Sequence, residues 1–139
     1  MTSPDLAPLE NLVKIGKLKA EPPDARESAG LIRSAVVRLN DARNTTLSIE
    51  SRFDLAYNAA HSAALAALRA AGFRSENRYL VFQCLAHTLR LPAAEWILLN
   101  QAHSKRNLAE YEGDLDVTDS FVAELIEQVE RVLAAVKNQ

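Results

Sequence analysis

Residues 48–71 carry the pattern that most limits what this chain can fold into. Small and apolar residues recur there at helical spacing, and Gly72 follows, a residue type that often ends helices. Ser48 is the expected N-cap. A face of small residues lets neighbouring helices approach closely, so the segment predicts a central helix in a tight bundle. The expected core face is Phe53, Ala56, Ala60, Ala63, Ala64, Ala67, Leu68 and Ala71.

Two further segments repeat this helical period. Asp24 is the expected N-cap of a helix over 25–43, and Asp116 or Thr118 is the expected cap of a last helix that runs to about Lys137. Both segments place their apolar residues on one face, as a helix packed against a core requires. The two faces are Leu31, Ile32, Ala35, Val36 and Leu39, and Phe121, Val122, Leu125, Ile126, Val129, Val132, Leu133 and Val136.

The remaining segments complete an all-α architecture. Residues 5–18 predict a short leading helix, which the pair Pro22-Pro23 separates from the rest of the chain. Residues 78–89 predict a short buried helix, since a lone strand would have no partner for its backbone groups. Pro92 is expected in the first turn of a fifth helix whose core residues are Trp96, Ile97, Leu99 and Ala102. We therefore predict an N-terminal arm over 1–23 and an antiparallel bundle of about five helices over 24–139.

Composition bounds the class of protein. Hydrophobic residues make up 48% and charged residues 24% of 139 residues, which is typical of one globular domain. The net charge of −2 gives no general attraction to nucleic acid. A single cysteine, Cys84, fits a reducing cytoplasm and is expected to be a buried small residue. No signal peptide precedes the first helix and no run of about 18 apolar residues exists, so we expect a cytoplasmic protein without a membrane span.

Polar residues concentrate in two places. The end of the fifth helix carries His103, Arg106, Asn107 and Tyr111 shortly before Gly113, where we expect the helix to stop. The central helix carries a second stripe at spacings of four and three, which could line a groove. The alternative for both groups of polar residues is a solvated helix face without a ligand. The members of the second stripe are Asp54, Asn58 and His61, with Tyr57 beside them.

Several kinds of site lack their sequence signatures. The chain has one cysteine and three widely separated histidines, so no zinc spacing appears. It has no glycine-rich phosphate loop and no Glu-x-x-His pair for a di-metal site. No cofactor and no metal are therefore expected.

The run Arg106-Asn107-Leu108-Ala109-Glu110-Tyr111 resembles the R-N-x-x-x-H motif of HEPN domains, with Tyr111 in the place of the histidine. The alanine-rich, tyrosine-containing helix over 56–68 is similar to one common in that superfamily. The order of helices also fits, because the motif comes late in the penultimate long helix. The resemblance covers roughly residues 25–137.

Membership would imply a helical bundle, usually a homodimer whose two motifs face one cleft. Some members are metal-independent ribonucleases, often toxins paired with a nucleotidyltransferase-type antitoxin, and others bind RNA, nucleotides or proteins without catalysis. By position, Arg106 would hold the scissile phosphate, which a guanidinium can bind bidentately. Asn107 would orient that arrangement, and proton transfer would fall on Tyr111.

Tyr111 departs from the motif in a way that bears on catalysis. The pKa of a tyrosine is about 10 and that of a histidine about 6.5, so bringing a phenol to neutrality costs on the order of 4 kcal/mol. His103, or His61 from the central helix, could supply the missing imidazole. We predict a non-catalytic or weakly active module that binds RNA, a nucleotide or a protein as a homodimer. The alternatives are a metal-independent ribonuclease toxin using Arg106 and Asn107, and a structural bundle without a ligand site.

Overall fold

The computed structural model describes residues 3–139 and confirms the all-α fold. Met1 and Thr2, which belong to the predicted N-terminal arm, lie outside the described residues. Among residues 3–139, no helix is both long and apolar enough to cross a bilayer. The helices are α1 (Leu6–Lys14), α2 (Ala25–Ala42), α3 (Ile49–Ala70), α4 (Arg78–Gln83), α5 (Leu85–Thr88), α6 (Ile97–Glu112) and α7 (Asp119–Lys137).

Helices α2, α3 and α7 pack against one another and form the main core. The alanine face of α3 is buried as the sequence predicts, and Phe53 and Leu68 are fully enclosed. The predicted caps are also present: Asp24 accepts hydrogen bonds from two backbone N–H groups, and Ser48 and Thr118 each accept one. Gly72 adopts φ +95°, a left-handed conformation that favours glycine at the end of α3.

The leading helix ends at Lys14, four residues before the predicted boundary at residue 18. Gly16 turns the chain with φ +77°, and residues 19–20 then form strand β1. Strand β1 pairs antiparallel with β2 (Phe73–Arg74), so residues predicted as plain connections form a two-residue ladder. Leu9 and Leu18 are buried in the common core, which places this N-terminal segment on the bundle.

A buried arginine ties the N-terminal segment to the end of α3. The Arg69 side chain is 1% exposed and donates to the carbonyl oxygens of Glu21 and Pro22 at 2.9 and 2.7 Å. It also pairs with the carboxylate of Glu27, which Arg74 contacts from β2. These two arginines lower the pKa of Glu27 by hydrogen bonding to its carboxylate. A buried charge is tolerated when its donors are satisfied in this way.

The region between α3 and α6 contains more and shorter helical segments than predicted. The single helix expected over 78–89 is two helices, because the backbone at Cys84 tightens to φ −64° and ψ −15°, close to 3-10 geometry. Pro92 is extended and precedes a 3-10 turn over Ala93–Glu95, so α6 begins only at Ile97. Ile97 is 50% exposed, and its predicted core position is wrong. Ile97 lies two positions before Leu99, about 200° around the helix, so it faces away from the packed side on which Leu99 and Ala102 are buried as predicted.

Candidate functional site

Tyr57 on α3 is the centre of the polar group that links three helices. Its side chain is fully buried among the rings of Phe53 and Phe82. Its hydroxyl lies 2.9 Å from Nδ1 of His103 on α6. A buried phenol needs such a partner, since an unpaired hydroxyl in an apolar setting costs about 1–3 kcal/mol. This contact fixes α6 against α3.

His103 is held at both ring nitrogens. The side-chain amide of Asn107, one turn further along α6, donates to Nε2 at 3.1 Å. The neutral ring then carries its proton on Nδ1 and donates it to the Tyr57 hydroxyl. Burial lowers the pKa of His103, and the positive charges of Arg106 and Arg78 lower it further. The imidazole is therefore in its neutral form near pH 7.

Two arginines approach the same tyrosine. The guanidinium carbons of Arg106 and Arg78 lie 5.1 and 5.5 Å from the centroid of the Tyr57 ring, within cation–π range. Arg106 also pairs with Glu110 at 3.1 Å on the exposed side of α6. Arg78 donates to Oδ1 of Asn58 at 3.1 Å, and among residues 3–139 no carboxylate lies within ion-pair distance of it.

His61 lies one turn after Tyr57 on α3 and contacts the edge of Phe82. Its Nε2 atom is buried and has no hydrogen-bond partner within residues 3–139. Burial lowers the pKa of His61 to about 4, with smaller contributions from Arg78, Arg106 and His103. His61 is thus neutral near pH 7 and lines the site without adding a positive charge to those of Arg78 and Arg106.

We call this group the Tyr57–His103 cluster. It joins α3, α4 and α6 through side chains that meet only in the folded chain. Its members are Tyr57, Asn58, His61, Arg78, Tyr79, Phe82, His103, Arg106 and Asn107.

The cluster contains most of the residues singled out from the sequence. His103, Arg106 and Asn107 from the α6 stretch meet Tyr57, Asn58 and His61 from the α3 stripe. Two candidates lie elsewhere, namely Asp54 and Tyr111. Asp54 is exposed and contributes only its backbone oxygen, which accepts from Asn58. Tyr111 is 90% exposed near the end of α6, and the structure gives its ring no partner among residues 3–139.

Helix α4 supplies the members that sequence reasoning missed. Arg78, Tyr79 and Phe82 lie in its first turns, just after the cap Asn77. The ring of Tyr79 is 5.8 Å from His103, and that of Phe82 is 6.3 Å from it. The available signal was an arginine and an aromatic residue four positions apart, which share a helix face. The apolar residues around it dominate the pattern, so the sequence predicts only a buried helix there.

The cluster combines the two cations Arg78 and Arg106 with the neutral imidazoles of His61 and His103. Guanidinium groups can bind an anion, and the cluster also holds the side-chain amides of Asn58 and Asn107. Across residues 3–139 the structure brings together no set of three or more His, Cys, Asp or Glu side chains that could hold a metal ion. Cys84 lies outside the cluster, and burial raises the pKa of its thiol to about 11, so the thiol is unreactive at neutral pH.

Comparison of the chain with family models, with curated proteins and with solved structures found no match. The likeness to HEPN domains therefore rests on the residues quoted above and stays a prediction. The geometry of the Tyr57–His103 cluster is what bears on function.

Proposed function

We propose that this protein is a non-catalytic helical module that binds RNA or a nucleotide through phosphate contacts at Arg78 and Arg106. The observation that carries the proposal is the pairing of the two guanidinium groups at one ring, within 5.1 and 5.5 Å of the Tyr57 centroid. Arg78 has no carboxylate partner among residues 3–139. A half-buried cation without a carboxylate partner is stabilised by an anion that binds it.

The partners of the two arginines leave donors free for such an anion. Arg78 uses one nitrogen on the neutral amide of Asn58, and a guanidinium has five N–H donors. Arg106 faces Glu110, whose side chain is 61% exposed, so water already weakens that pair. A phosphate oxygen can replace this carboxylate and gain charge-assisted hydrogen bonds from both arginines. His103 is neutral and so adds no charge of its own.

Fluorescence anisotropy with a short labelled single-stranded RNA tests this proposal. We expect Arg78→Gln and Arg106→Gln each to weaken binding by about 10- to 100-fold, since a hydrogen bond to a charged group contributes roughly 1.5–3 kcal/mol. Each change should also reduce the slope of log affinity against log salt by about 0.7, the value for one phosphate contact on a single strand.

Arg43→Gln and Arg131→Gln are matched controls, because they remove the same charge elsewhere. Arg43 pairs with Glu130, and Arg131 pairs with Glu95, both at exposed positions. We expect less than about a twofold change for each, as for a surface ion pair. If all four variants bind alike, the phosphate site is not at the cluster.

A homodimer is the second part of the proposal, as the resemblance implies. Ile97 and Leu108 support it: they are 50% and 55% exposed and lie about three turns apart, on one side of α6. Exposed apolar residues in a row often mark an interface. We expect light scattering to give a dimer for the wild type and a monomer for Leu108→Glu. A monomeric wild type at micromolar concentration would contradict this part.

Metal-independent RNA cleavage is a second candidate function, and one observation favours it. His103 is neutral near pH 7 and lies on the same helix as Arg106, so its Nε2 could accept a proton if the side-chain amide of Asn107 moves away. Cleavage of RNA in the presence of a chelator, lost in His103→Gln, would support an enzyme. Absence of cleavage in the wild type would rule this candidate out. A nucleotidyltransferase-type antitoxin partner stays a prediction of the resemblance.

A further inference from the structure

Tyr79 is the one residue of the Tyr57–His103 cluster that offers an aromatic ring to solvent. It is 43% exposed at the start of α4, directly after Arg78. Tyr57 and Phe82, the other phenol and phenyl rings in the cluster, are fully buried. An exposed tyrosine is not unusual by itself, but this one follows an arginine that has no carboxylate partner in the described part of the chain, residues 3–139.

The ring of Tyr79 packs near His103 but remains partly exposed to solvent. Its centroid lies 5.8 Å from that of His103, and the two planes are tilted by 41°. That tilt means the imidazole is not stacked on the phenol ring. Among residues 3–139, His103 is the only ring paired with Tyr79. The exposed face of the phenol is therefore open to a flat ligand, in the same cluster as Arg78 and Arg106.

We propose that Tyr79 stacks on the base of an unpaired nucleotide and so makes the site selective for single-stranded RNA. This inference rests on the proposed phosphate site at Arg78 and Arg106. Bases in a duplex are stacked on one another, and their faces are out of reach of a side chain. An unpaired base can stack on an aromatic ring, whatever its sequence, while cations follow the backbone. Duplex RNA of the same length offers the phosphates but no free base.

The test compares three fluorescently labelled ligands with wild-type protein: a single-stranded RNA, its duplex, and the same strand with abasic sites. The abasic strand keeps every phosphate and loses the rings. We expect the intact single strand to bind about 10-fold more tightly than either of the others, in line with the known strength of base–aromatic stacking. Equal affinity for the intact and abasic strands overturns the inference.

Two variants at Tyr79 separate stacking from other effects. Tyr79→Phe keeps the ring and should bind the intact strand within about twofold of the wild type. Tyr79→Leu keeps apolar bulk without the ring, and should bind the intact strand only as well as the abasic one. Unchanged circular dichroism and thermal unfolding establish that both variants are folded.

The outcomes distinguish this inference from the proposed function. If Tyr79→Leu binds like the wild type while Arg78→Gln and Arg106→Gln bind weakly, the phosphate site stands and the stacking role is wrong. If the arginine variants bind like the wild type, or the wild type binds no RNA, the proposed function fails and the stacking role fails with it.

Discussion

Acid should destabilise this protein through His61, and the size of the effect follows from its surroundings. The pKa of His61 is lowered from 6.5 to about 4 by burial and by the nearby arginines. The unfolded chain therefore binds a proton at His61 between these two values, and the folded chain does not. Stability is complete above pH 6.5 and falls as the pH decreases towards 4. Between about pH 7 and pH 5 the loss should be about 2 kcal/mol, at 1.36 kcal/mol for each pH unit.

Urea unfolding followed by circular dichroism at several pH values measures this loss. The matched variant is His61→Leu, which fills the space beside Phe82 without a titratable group or an orphaned Nε2 atom. We expect its free energy of unfolding to depend less on pH than that of the wild type, by about 2 kcal/mol over the same range. The contribution of His103 is present in both proteins and largely cancels. Parallel pH curves for the two proteins would refute the reasoning.

Three further predictions concern the scaffold. Arg69→Met should lower the free energy of unfolding by about 1–3 kcal/mol, because the part-buried carbonyl groups of Glu21 and Pro22 lose their donor and Glu27 keeps only Arg74; no measurable loss would contradict this. Asp24→Ala should cost about 1 kcal/mol in the same urea assay through loss of the α2 N-cap, and Asp24→Asn should restore most of it. The Cys84 thiol should react with a maleimide at neutral pH only after unfolding, and rapid labelling of folded protein would show that the thiol is accessible.

The parts of the fold that the sequence predicts are those governed by local rules. The α7 stripe and the α3 alanine face follow from helical periodicity, and the caps at Asp24 and Ser48 follow from residue preference. The turn at Gly16 and the short β1–β2 ladder were missed. A two-residue ladder has no periodic pattern, and its formation depends on where Arg69 and other tertiary contacts hold the chain.

In the candidate site, too, the features that follow local rules can be predicted, and those that depend on tertiary packing cannot. Helical spacing groups His103 with Arg106 and Tyr57 with His61, since each pair shares a helix. The two groups meet through the 2.9 Å contact between Tyr57 and His103. This contact depends on how α6 packs on α3, which helical spacing does not predict. Arg78 joins from α4, which no spacing rule connects to either helix. Tyr111, by contrast, is exposed to solvent near the C-terminal end of α6, although it belongs to the same sequence motif as Asn107.

The central claim is that RNA phosphates bind at the Tyr57–His103 cluster. The most direct measurement follows the side-chain Nε–Hε signals of the arginines by NMR during titration with a short single-stranded RNA. We expect the signals of Arg78 and Arg106 to shift together and saturably, while those of Arg43 and Arg131, in exposed ion pairs, stay in place. Uniform small shifts at all four arginines, or none at Arg78 and Arg106, would contradict the claim.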